Sequence, residues 1–287
     1  MKKITEYFPP DVWSWEKESG GEFSKINRPI SGQTHEQALP IGKHSLQLYS
    51  LATPNGVKVT IFLEELLEAG YLEAEYDSWL IKINGMQFSS GFVEINPNSK
   101  IPALVDYTRQ RPIRIFESGA ILLYLAEKFN FMFPSDISDK AECLSWLFWQ
   151  MGSAPYLGGG FGHFYKYAPT KIEYPINRYT MEVKRQLDVL DKNLRNREYV
   201  SGSTYTISDI AIWAWYGQLT LGKLYNASDF LEVGSYRNII EWANRIYERP
   251  SVKRGLMVNK TSGNLEEQVK ERHSSQDFDG KKLSTSE

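Results

Sequence analysis

Apolar and polar residues alternate at residues 46–51, and this alternation predicts a β-strand. Thr53 and Pro54 follow and predict a helix start, because threonine is a good N-cap and proline fits the first helical position. Apolar residues then recur at steps of three and four up to Gly70, where the predicted helix ends. The pattern therefore begins with a strand and a crossover helix.

The same kind of pattern continues to residue 130 and predicts a small α/β domain over residues 46–130. A second, weaker strand is predicted at 75–83, a hairpin at 103–116, and a helix that opens at Ser118 as its N-cap. The crossover helix implies that the first two strands are parallel, and the short later connection implies an antiparallel pair. A proline before the hairpin, followed by β-β-α, is typical of the back half of a thioredoxin-like fold.

From residue 139 onward the periodicity is helical only, and we expect an all-helical domain over residues 139–258. Apolar residues are spaced by threes and fours, and a capping-box variant at residues 206–209 opens one of the helices. The predicted helices cover residues 139–152, 172–197, 210–221 and 236–249.

Two segments lack sustained periodicity. Residues 1–45 predict an irregular arm rich in Gly, Pro, Ser and charge, and residues 259–287 predict a polar tail whose last dozen residues lack fixed structure. Aromatic residues in the arm favour its lying against the body of the protein. These are Tyr7, Phe8, Trp13 and Trp15.

Composition narrows the class of protein. The 287 residues are 41% apolar and 24% charged, which is typical of a soluble globular protein, and the net charge of −2 argues against nucleic-acid or anionic-membrane partners. The chain has no run of 18 apolar residues, and its start does not look like a signal peptide, so a cytoplasmic location is expected.

Cysteine and histidine usage excludes several kinds of chemistry. Cys143 is the only cysteine, so one chain can hold neither a disulfide nor a CxxC redox pair, and we expect Cys143 to be buried and inert. The four histidines show no metal-ligand spacing, so no metal site is expected. The glycines at 158–162 lack the Lys-Ser/Thr of a phosphate loop and predict a flexible helix interruption beside a cleft.

Several polar residues are placed where a ligand site would form. Thr53, Pro54 and Asn55 lie where the first strand meets its helix, and a hydroxyl and a carboxamide there can hold a thiolate near free N–H groups. Either a helix cap alone or a ligand contact would explain these residues. Tyr49, inside the strand, is interpreted as a packing residue.

Three further features fit a peptide-like ligand. Ile101-Pro102 precedes a strand, where a cis proline would turn the backbone of Ile101 outward. Glu117 and Ser118 match the ammonium and carboxylate of an α-amino acid, although a capping serine with a chance neighbour is an alternative. Arg178 lies off the apolar stripe of its helix and is either a carboxylate ligand or a solvent-facing residue.

With these residues in place, the chain resembles the nu-class glutathione transferases, bacterial disulfide-bond reductases related to the yeast nitrogen-regulator prion protein. The resemblance runs along nearly the whole chain. Its segments include GGEFSKINRPISG, SLATPNGVKVTIFLEELL, QFSSGFVEINPNSKIPALVD, IRIFESGAILLYLAEKF, GGGFGHFYKYAP and TISDIAIW. The Pro and Glu-Ser pair is general to glutathione transferases, whereas TPN, the long arm and the glycine-rich segment are narrower signals.

The resemblance implies a glutathione transferase fold, a homodimer and a set of glutathione contacts. Thr53, Pro54 and Asn55 would lie at the sulfur, Ile101 and cis Pro102 at the cysteinyl unit, with Glu117 and Ser118 at the γ-glutamyl end. Gln87 and Lys100 would bind other polar groups of the tripeptide, and Asn27 and Arg178 would hold a second glutathione. A ligand-facing glutamine is expected in the second domain, where this chain has Gln150-Met151, so either the register differs by one or that contact is lost.

Three functions remain open from the sequence. The favoured hypothesis is disulfide reduction with two glutathione thiols and no protein cysteine, with Thr53 and Asn55 as catalytic residues. The expected partners are glutathione and a small disulfide or peroxide substrate. The second is conjugation of glutathione to electrophiles, and the third is a non-catalytic glutathione-binding regulatory protein.

Overall fold

The computed structural model describes residues 7–16, 23–24 and 26–282, and its first domain is built on a four-stranded mixed sheet of order β2-β1-β3-β4. The strands are β1 (Leu46–Ser50), β2 (Tyr76–Leu80), β3 (Ala103–Asp106) and β4 (Ile113–Phe116). β1 runs parallel to β2 and antiparallel to β3, and β3 pairs antiparallel with β4. The strand directions expected from the connections are confirmed.

Three helices belong to this domain: α1 (Pro54–Glu68), α2 (Ser90–Ile95) and α3 (Ser118–Phe129). Thr53 is the N-cap of α1, and its hydroxyl oxygen accepts a hydrogen bond from the Gly56 amide at 3.3 Å. The expectation that Ser118 caps α3 is wrong. Glu117 occupies the cap position with a φ of 71°, and Ser118 is the first residue of the helix.

The rest of the chain is helical, as expected. Its helices are α4 (Ile137–Pro155), α5 (Glu173–Leu194), α6 (Ile207–Ile212), α7 (Gln218–Thr220), α8 (Ser228–Leu231), α9 (Arg237–Tyr247) and α10 (Pro250–Met257). Two π-helical segments, Tyr156–Tyr167 and Trp213–Gly217, join α4 to the next turn and α6 to α7. The glycine-rich segment is therefore a helical continuation of α4, which corrects the predicted interruption.

The two domains share their core, because the last helix of the second packs on the first helix of the first. Thr60 of α1 donates to the Gly255 carbonyl of α10 at 2.7 Å, and a Cβ at Gly255 would lie only 2.6 Å from the Cα of Ile61. Glu64 and Glu65 of α1 pair with Arg254 and Arg249 at 2.9 and 2.6 Å. One cluster of buried apolar side chains runs through both domains.

The second half of the arm contacts the body of the protein. Thr34 donates its amide to the Phe88 carbonyl at 2.9 Å, and Tyr49 donates its hydroxyl to the Pro40 carbonyl at 2.7 Å. The four early aromatic residues that favoured this contact contribute little to it, because their side chains are largely exposed. Their exposed fractions are 74% for Tyr7, 75% for Phe8, 57% for Trp13 and 40% for Trp15.

The tail is ordered through residue 282 and docks on the sheet edge. Ser78 of β2 and Arg272 exchange two backbone hydrogen bonds of 2.7 and 3.2 Å, and Ser275–Phe278 forms a 3₁₀ turn. The expectation that the last dozen residues lack structure is therefore wrong for residues 276–282, and residues 283–287 lie outside the described part. Within the described part, no helix combines the length and the apolar character needed to cross a membrane.

Candidate functional site

A cavity of about 320 Å³ opens where β1 ends and α1 and α3 begin. It brings together nine of the residues that the sequence singled out, because the carboxyl end of β1, the cis Ile101-Pro102 bond and the start of α3 meet at one edge of the sheet. These residues are Thr53, Pro54, Asn55, Gln87, Lys100, Ile101, Pro102, Glu117 and Ser118. We call this space the first cavity.

Two predicted residues do not line the first cavity. Asn27 is exposed on the arm, although its neighbour Ile26 does line it. Arg178 is exposed on α5. The structure thus places neither side chain in the site itself.

The start of α1 presents hydrogen-bond donors to the first cavity. The Thr53 hydroxyl oxygen already accepts from Gly56, so its hydrogen is free for a ligand. Asn55 uses its carbonyl oxygen as the acceptor for the indole N–H of Trp215 at 2.9 Å, which leaves its amide N–H₂ group to donate. Together with the positive end of the α1 dipole, these donors suit an anionic group such as a thiolate.

At the start of α3 a carboxylate and a hydroxyl lie side by side. Glu117 is exposed and accepts a hydrogen bond from the Asn98 amide at 3.2 Å. Its φ of 71° is in the left-handed region that favours glycine, and a non-glycine residue in such a conformation is strained. Strained residues concentrate at ligand sites, and the conformation here holds the carboxylate at the mouth of the first cavity.

A second cavity of about 320 Å³ adjoins the first and shares Asn55, Glu117, Ser118 and Trp215 with it. Gln150 and Met151 both line this second cavity. Met151 packs against Gly119, where an added Cβ would come within 2.9 Å of the methionine sulfur. Both residues thus meet the same space.

Gln150 is fully buried, and only one of its two side-chain polar groups is hydrogen-bonded to a described residue. Its side-chain carbonyl accepts a hydrogen bond from the Lys58 ammonium at 2.7 Å. Its amide nitrogen has no hydrogen-bond partner among the residues that the structure describes. A buried donor without a partner beside a cavity is suited to a ligand acceptor.

Lys58 and Trp215 are site residues that the sequence reasoning missed. Lys58 is 1% exposed and donates to Ser118 at 3.2 Å as well as to Gln150. Burial lowers the pKa of Lys58 to about 7, and the negative charge of Glu117 partly opposes that shift. One signal was present in the sequence: Lys58 lies between Val57 and Val59, within the apolar run of α1, and not on a polar face of that helix.

The glycine-rich segment packs directly against the Trp215 ring. A Cβ at Gly158 would come within 2.4 Å of the Trp215 ring, and a Cβ at Gly162 within 2.4 Å of the Tyr225 ring. Gly158 therefore permits the close approach that places the Trp215 indole on Asn55. The glycine-rich segment lies beside the second cavity, as predicted for a cleft, and it is a π-helix packed against aromatic rings.

Cys143 and Tyr49 take no part in either cavity. Cys143 is fully buried, and burial raises the pKa of its thiol, which disfavours the reactive thiolate. Tyr49 is buried, and burial raises the pKa of its phenol. Both predictions of packing roles are confirmed. Within the described ranges, no group of three His, Cys, Asp or Glu side chains lies close enough to hold a metal ion.

Comparison with known proteins identifies the family. Residues 44–127 match the family model described as the glutathione S-transferase N-terminal domain. The chain is 62% identical over 274 residues to the disulfide-bond oxidoreductase YghU of Escherichia coli, and the match covers 95% of each chain.

Solved structures agree with this family. The structure of the glutathione transferase YghU from Streptococcus pneumoniae, complexed with glutathione, is 59% identical, with a TM-score of 0.87 over 89% of this chain and 99% of that one. A glutathione transferase family member from Pseudomonas fluorescens, with two glutathione bound, is 37% identical, with a TM-score of 0.69 over 74% of this chain and 92% of that one. The chain belongs to the glutathione S-transferase family, as the nu-class resemblance of its sequence indicated.

Proposed function

We propose that this protein reduces disulfide bonds with the thiols of two bound glutathione molecules and without a protein cysteine. One glutathione thiolate attacks a sulfur of the substrate disulfide, forming a mixed disulfide and releasing one substrate thiol. The second glutathione thiolate then attacks the glutathione sulfur of the mixed disulfide. The products are glutathione disulfide and the second substrate thiol, so two glutathiones are oxidised for each disulfide reduced.

The observation that carries this proposal is a cavity at the start of α1 that offers donors to a thiolate and holds no cysteine. Thr53 and Asn55 have their acceptor oxygens engaged and their donor hydrogens free. Hydrogen bonds and a helix N-terminus both stabilise a thiolate and lower the pKa of a bound thiol. Cys143, the only cysteine in the sequence, lies elsewhere, in the core.

The other residues of the first cavity match the remaining groups of glutathione. In this proposal the backbone of Ile101 pairs with the cysteinyl unit, Glu117 binds the γ-glutamyl ammonium and Ser118 its carboxylate. Gln87 and Lys100, which also line the first cavity, bind the other polar groups. The complementary charges at Glu117 and α3 fit a zwitterionic head group.

The second glutathione is assigned to the second cavity. Its volume equals that of the first, and the residues shared by the two cavities would place the sulfurs near Asn55. The two glutathiones bound by the Pseudomonas fluorescens relative support this assignment. Asn27 and Arg178, both exposed, would then contact the second molecule from the arm and from α5.

The test compares two reactions of the purified protein. We expect reduction of a small organic disulfide by glutathione to be at least about a hundredfold faster, in kcat/KM, than conjugation of glutathione to an aryl halide. Faster conjugation would favour the transferase alternative. Inactivity in both assays, with glutathione still bound, would favour a binding protein.

Replacing Cys143 tests whether the reacting thiols come from glutathione or from the protein. Cys143→Ala should retain kcat/KM for disulfide reduction within about twofold, because the thiol is buried and its pKa is raised. Circular dichroism serves as the folding control. A loss of turnover in a folded Cys143→Ala protein would contradict the mechanism.

We also propose a homodimer in the cytoplasm. Large apolar side chains on α4 and α5 are exposed in the single chain, including Phe148 at 63%, Tyr174 at 78% and Met181 at 64%, and such surfaces favour association. The cytoplasm supplies reduced glutathione. Analytical ultracentrifugation at micromolar concentration should give twice the chain mass, and a monomer there would overturn the dimer.

A further inference from the structure

A buried ammonium group connects the two cavities. Lys58, on the inner face of α1, donates to Ser118 of α3 at 3.2 Å and to Gln150 of α4 at 2.7 Å. All three side chains are at least nine-tenths buried. Within the described part of the chain, no carboxylate lies within ion-pairing distance of Lys58.

The chemistry of lysine fixes the direction of both hydrogen bonds. An ammonium only donates, so Ser118 must accept through its oxygen, which leaves its O–H hydrogen to point elsewhere. Gln150 must likewise accept through its carbonyl, which turns its N–H₂ group toward the second cavity, where it has no partner among the described residues. One lysine thus constrains two side chains: Ser118, which lines both cavities, and Gln150, which lines the second.

The charged groups around Lys58 leave its own charge incompletely balanced. Glu117 faces it from the start of α3 but is exposed, and its carboxylate interacts only at a distance. On α1 itself, Glu64 and Glu65 pair with Arg254 and Arg249. From α6, the carboxylate of Asp209 is bonded to Val200, Thr206 and Trp242. From α4 and the segment after α6, the facing residues Gln150 and Trp215 are neutral.

We propose that Lys58 is a positioning residue that orients Ser118 and Gln150 as donors, and that the missing counter-charge is a carboxylate of the ligand bound beside Ser118. The inference rests on the proposed function, because it takes the ligand to be glutathione. Its consequence is that ligand binding and proton uptake by Lys58 are coupled. The carboxylate draws a proton from solvent onto the amine, and no bond to carbon or sulfur changes.

The direction of the coupling follows from the pKa of Lys58. Burial lowers it to about 7 in the free protein, so the amine is largely neutral at pH 8. A carboxylate nearby favours the ammonium and raises the pKa. Binding at pH 8 therefore takes up a proton, and the dissociation constant should increase with pH between about 7 and 9, by up to about tenfold per pH unit.

Calorimetric titration with S-methylglutathione tests the coupling between ligand binding and proton uptake. This ligand has no thiol whose ionisation would add to the protons exchanged. Repeating the titration at pH 8 in buffers of different ionisation enthalpy gives the number of protons exchanged. We expect an uptake of about half a proton or more per ligand for the unmodified protein. Binding without proton uptake would overturn the inference and leave the proposed function intact, whereas absence of binding would overturn the proposed function as well.

A Lys58→Met variant removes the ammonium while keeping a similar length of side chain. It should bind S-methylglutathione about tenfold more weakly at pH 7 and take up at least about half a proton less per ligand at pH 8 than the unmodified protein. The uptake that remains belongs to the amino group of the ligand, which Glu117 binds as an ammonium in the proposed function. Lys223→Met, at an exposed lysine outside both cavities, is the matched control and should behave as the unmodified protein. Unchanged proton uptake in Lys58→Met would refute the assignment. If this variant does not fold, the titration of the unmodified protein at pH 7 decides, because the amino group of the ligand is already largely protonated there and uptake near zero would overturn the inference.

Discussion

Glu117 combines a left-handed backbone with a carboxylate at the mouth of the first cavity. A non-glycine residue at a φ of 71° costs about 1–3 kcal/mol, and glycine avoids that cost. We expect Glu117→Gly to have a free energy of unfolding about 1 kcal/mol higher than Glu117→Ala, while both lose at least about tenfold in kcat/KM for glutathione. Urea denaturation and steady-state kinetics measure the two effects. Equal stabilities of the two variants would show that the backbone is not strained.

Thr53 has two roles that substitution can separate. Aspartate is as good an N-cap as threonine and suits the helix dipole, but its charge repels a thiolate. Thr53→Asp should therefore keep the stability of the protein within about 0.5 kcal/mol and lose about a hundredfold in kcat.

Thr53→Ser, which keeps the hydroxyl, is the matched control and should lose little of either property. Thermal unfolding and disulfide-reductase kinetics distinguish the variants. An active Thr53→Asp protein would contradict a thiolate at this position.

Residues with a local signature could be found from the sequence. Thr53 and Pro54 were identified because capping depends on neighbours a few positions away, and Ile101-Pro102 because proline restricts strand starts. Trp215 could not be found in this way, since it meets Asn55 across 160 positions of chain. Lys58 was missed because a lysine in a helix is ordinarily solvated, and only the packing of α3 and α4 buries it.

Among the elements, the π-helical segment Tyr156–Tyr167 has the most specific expected effect on the site. Gly158→Ala would push a methyl group to 2.4 Å from the Trp215 ring, so the ring must move and its hydrogen bond to Asn55 weakens. We expect a loss of about tenfold in kcat/KM, with fold retained. Tryptophan fluorescence should report the displaced ring.

Gly159→Ala provides the control on the same segment. A Cβ there meets no atom within 4 Å outside its own helix, so activity should stay within about twofold. If Gly158→Ala and Gly159→Ala have the same activity, the close approach of Trp215 is not needed.

At the scale of elements, periodicity predicted most of the fold. Steps of three and four located α4, α5 and α9, and alternation located β1, because the buried face of each element repeats with its geometry. The segment at 158–162 could not be interpreted in this way. Glycines carry no side chain to reveal a buried face, so the sequence could not distinguish a packed π-helix from an interruption.

At the scale of the whole molecule, a buried arginine in the tail helps to hold the tail on the first domain. Arg272 is 1% exposed, pairs with Glu75 at 2.5 Å and Glu64 at 3.3 Å, and lies 4.2 Å from the centre of the Tyr76 ring. Arg272→Met should lower the free energy of unfolding by about 2 kcal/mol, because buried Glu64 keeps only Arg254 as its charge partner and Glu75 loses the arginine it pairs with.

Lys282→Met is the control for this prediction, since Lys282 forms an exposed pair with Glu266 and water screens such a pair, so its loss should change stability little. Chemical denaturation compares the two variants. Similar losses would mean that Arg272 does not hold the tail. The sequence did not reveal the role of Arg272, because the tail is polar and has no periodic pattern of its own. Its ordered structure comes from contacts with β2 and α1.

The contact between α1 and α10 also bears on how the chain can be divided. The first domain is continuous in sequence up to residue 130, yet Thr60 and Ile61 are covered by Gly255, and Ser78 is bonded to Arg272. A fragment that stops at residue 130 would therefore expose the outer side of α1 and the free edge of β2 to water. The first domain therefore completes its packing only when Gly255 and Arg272, far along the chain, are in place, so we expect the two domains to unfold in one cooperative step.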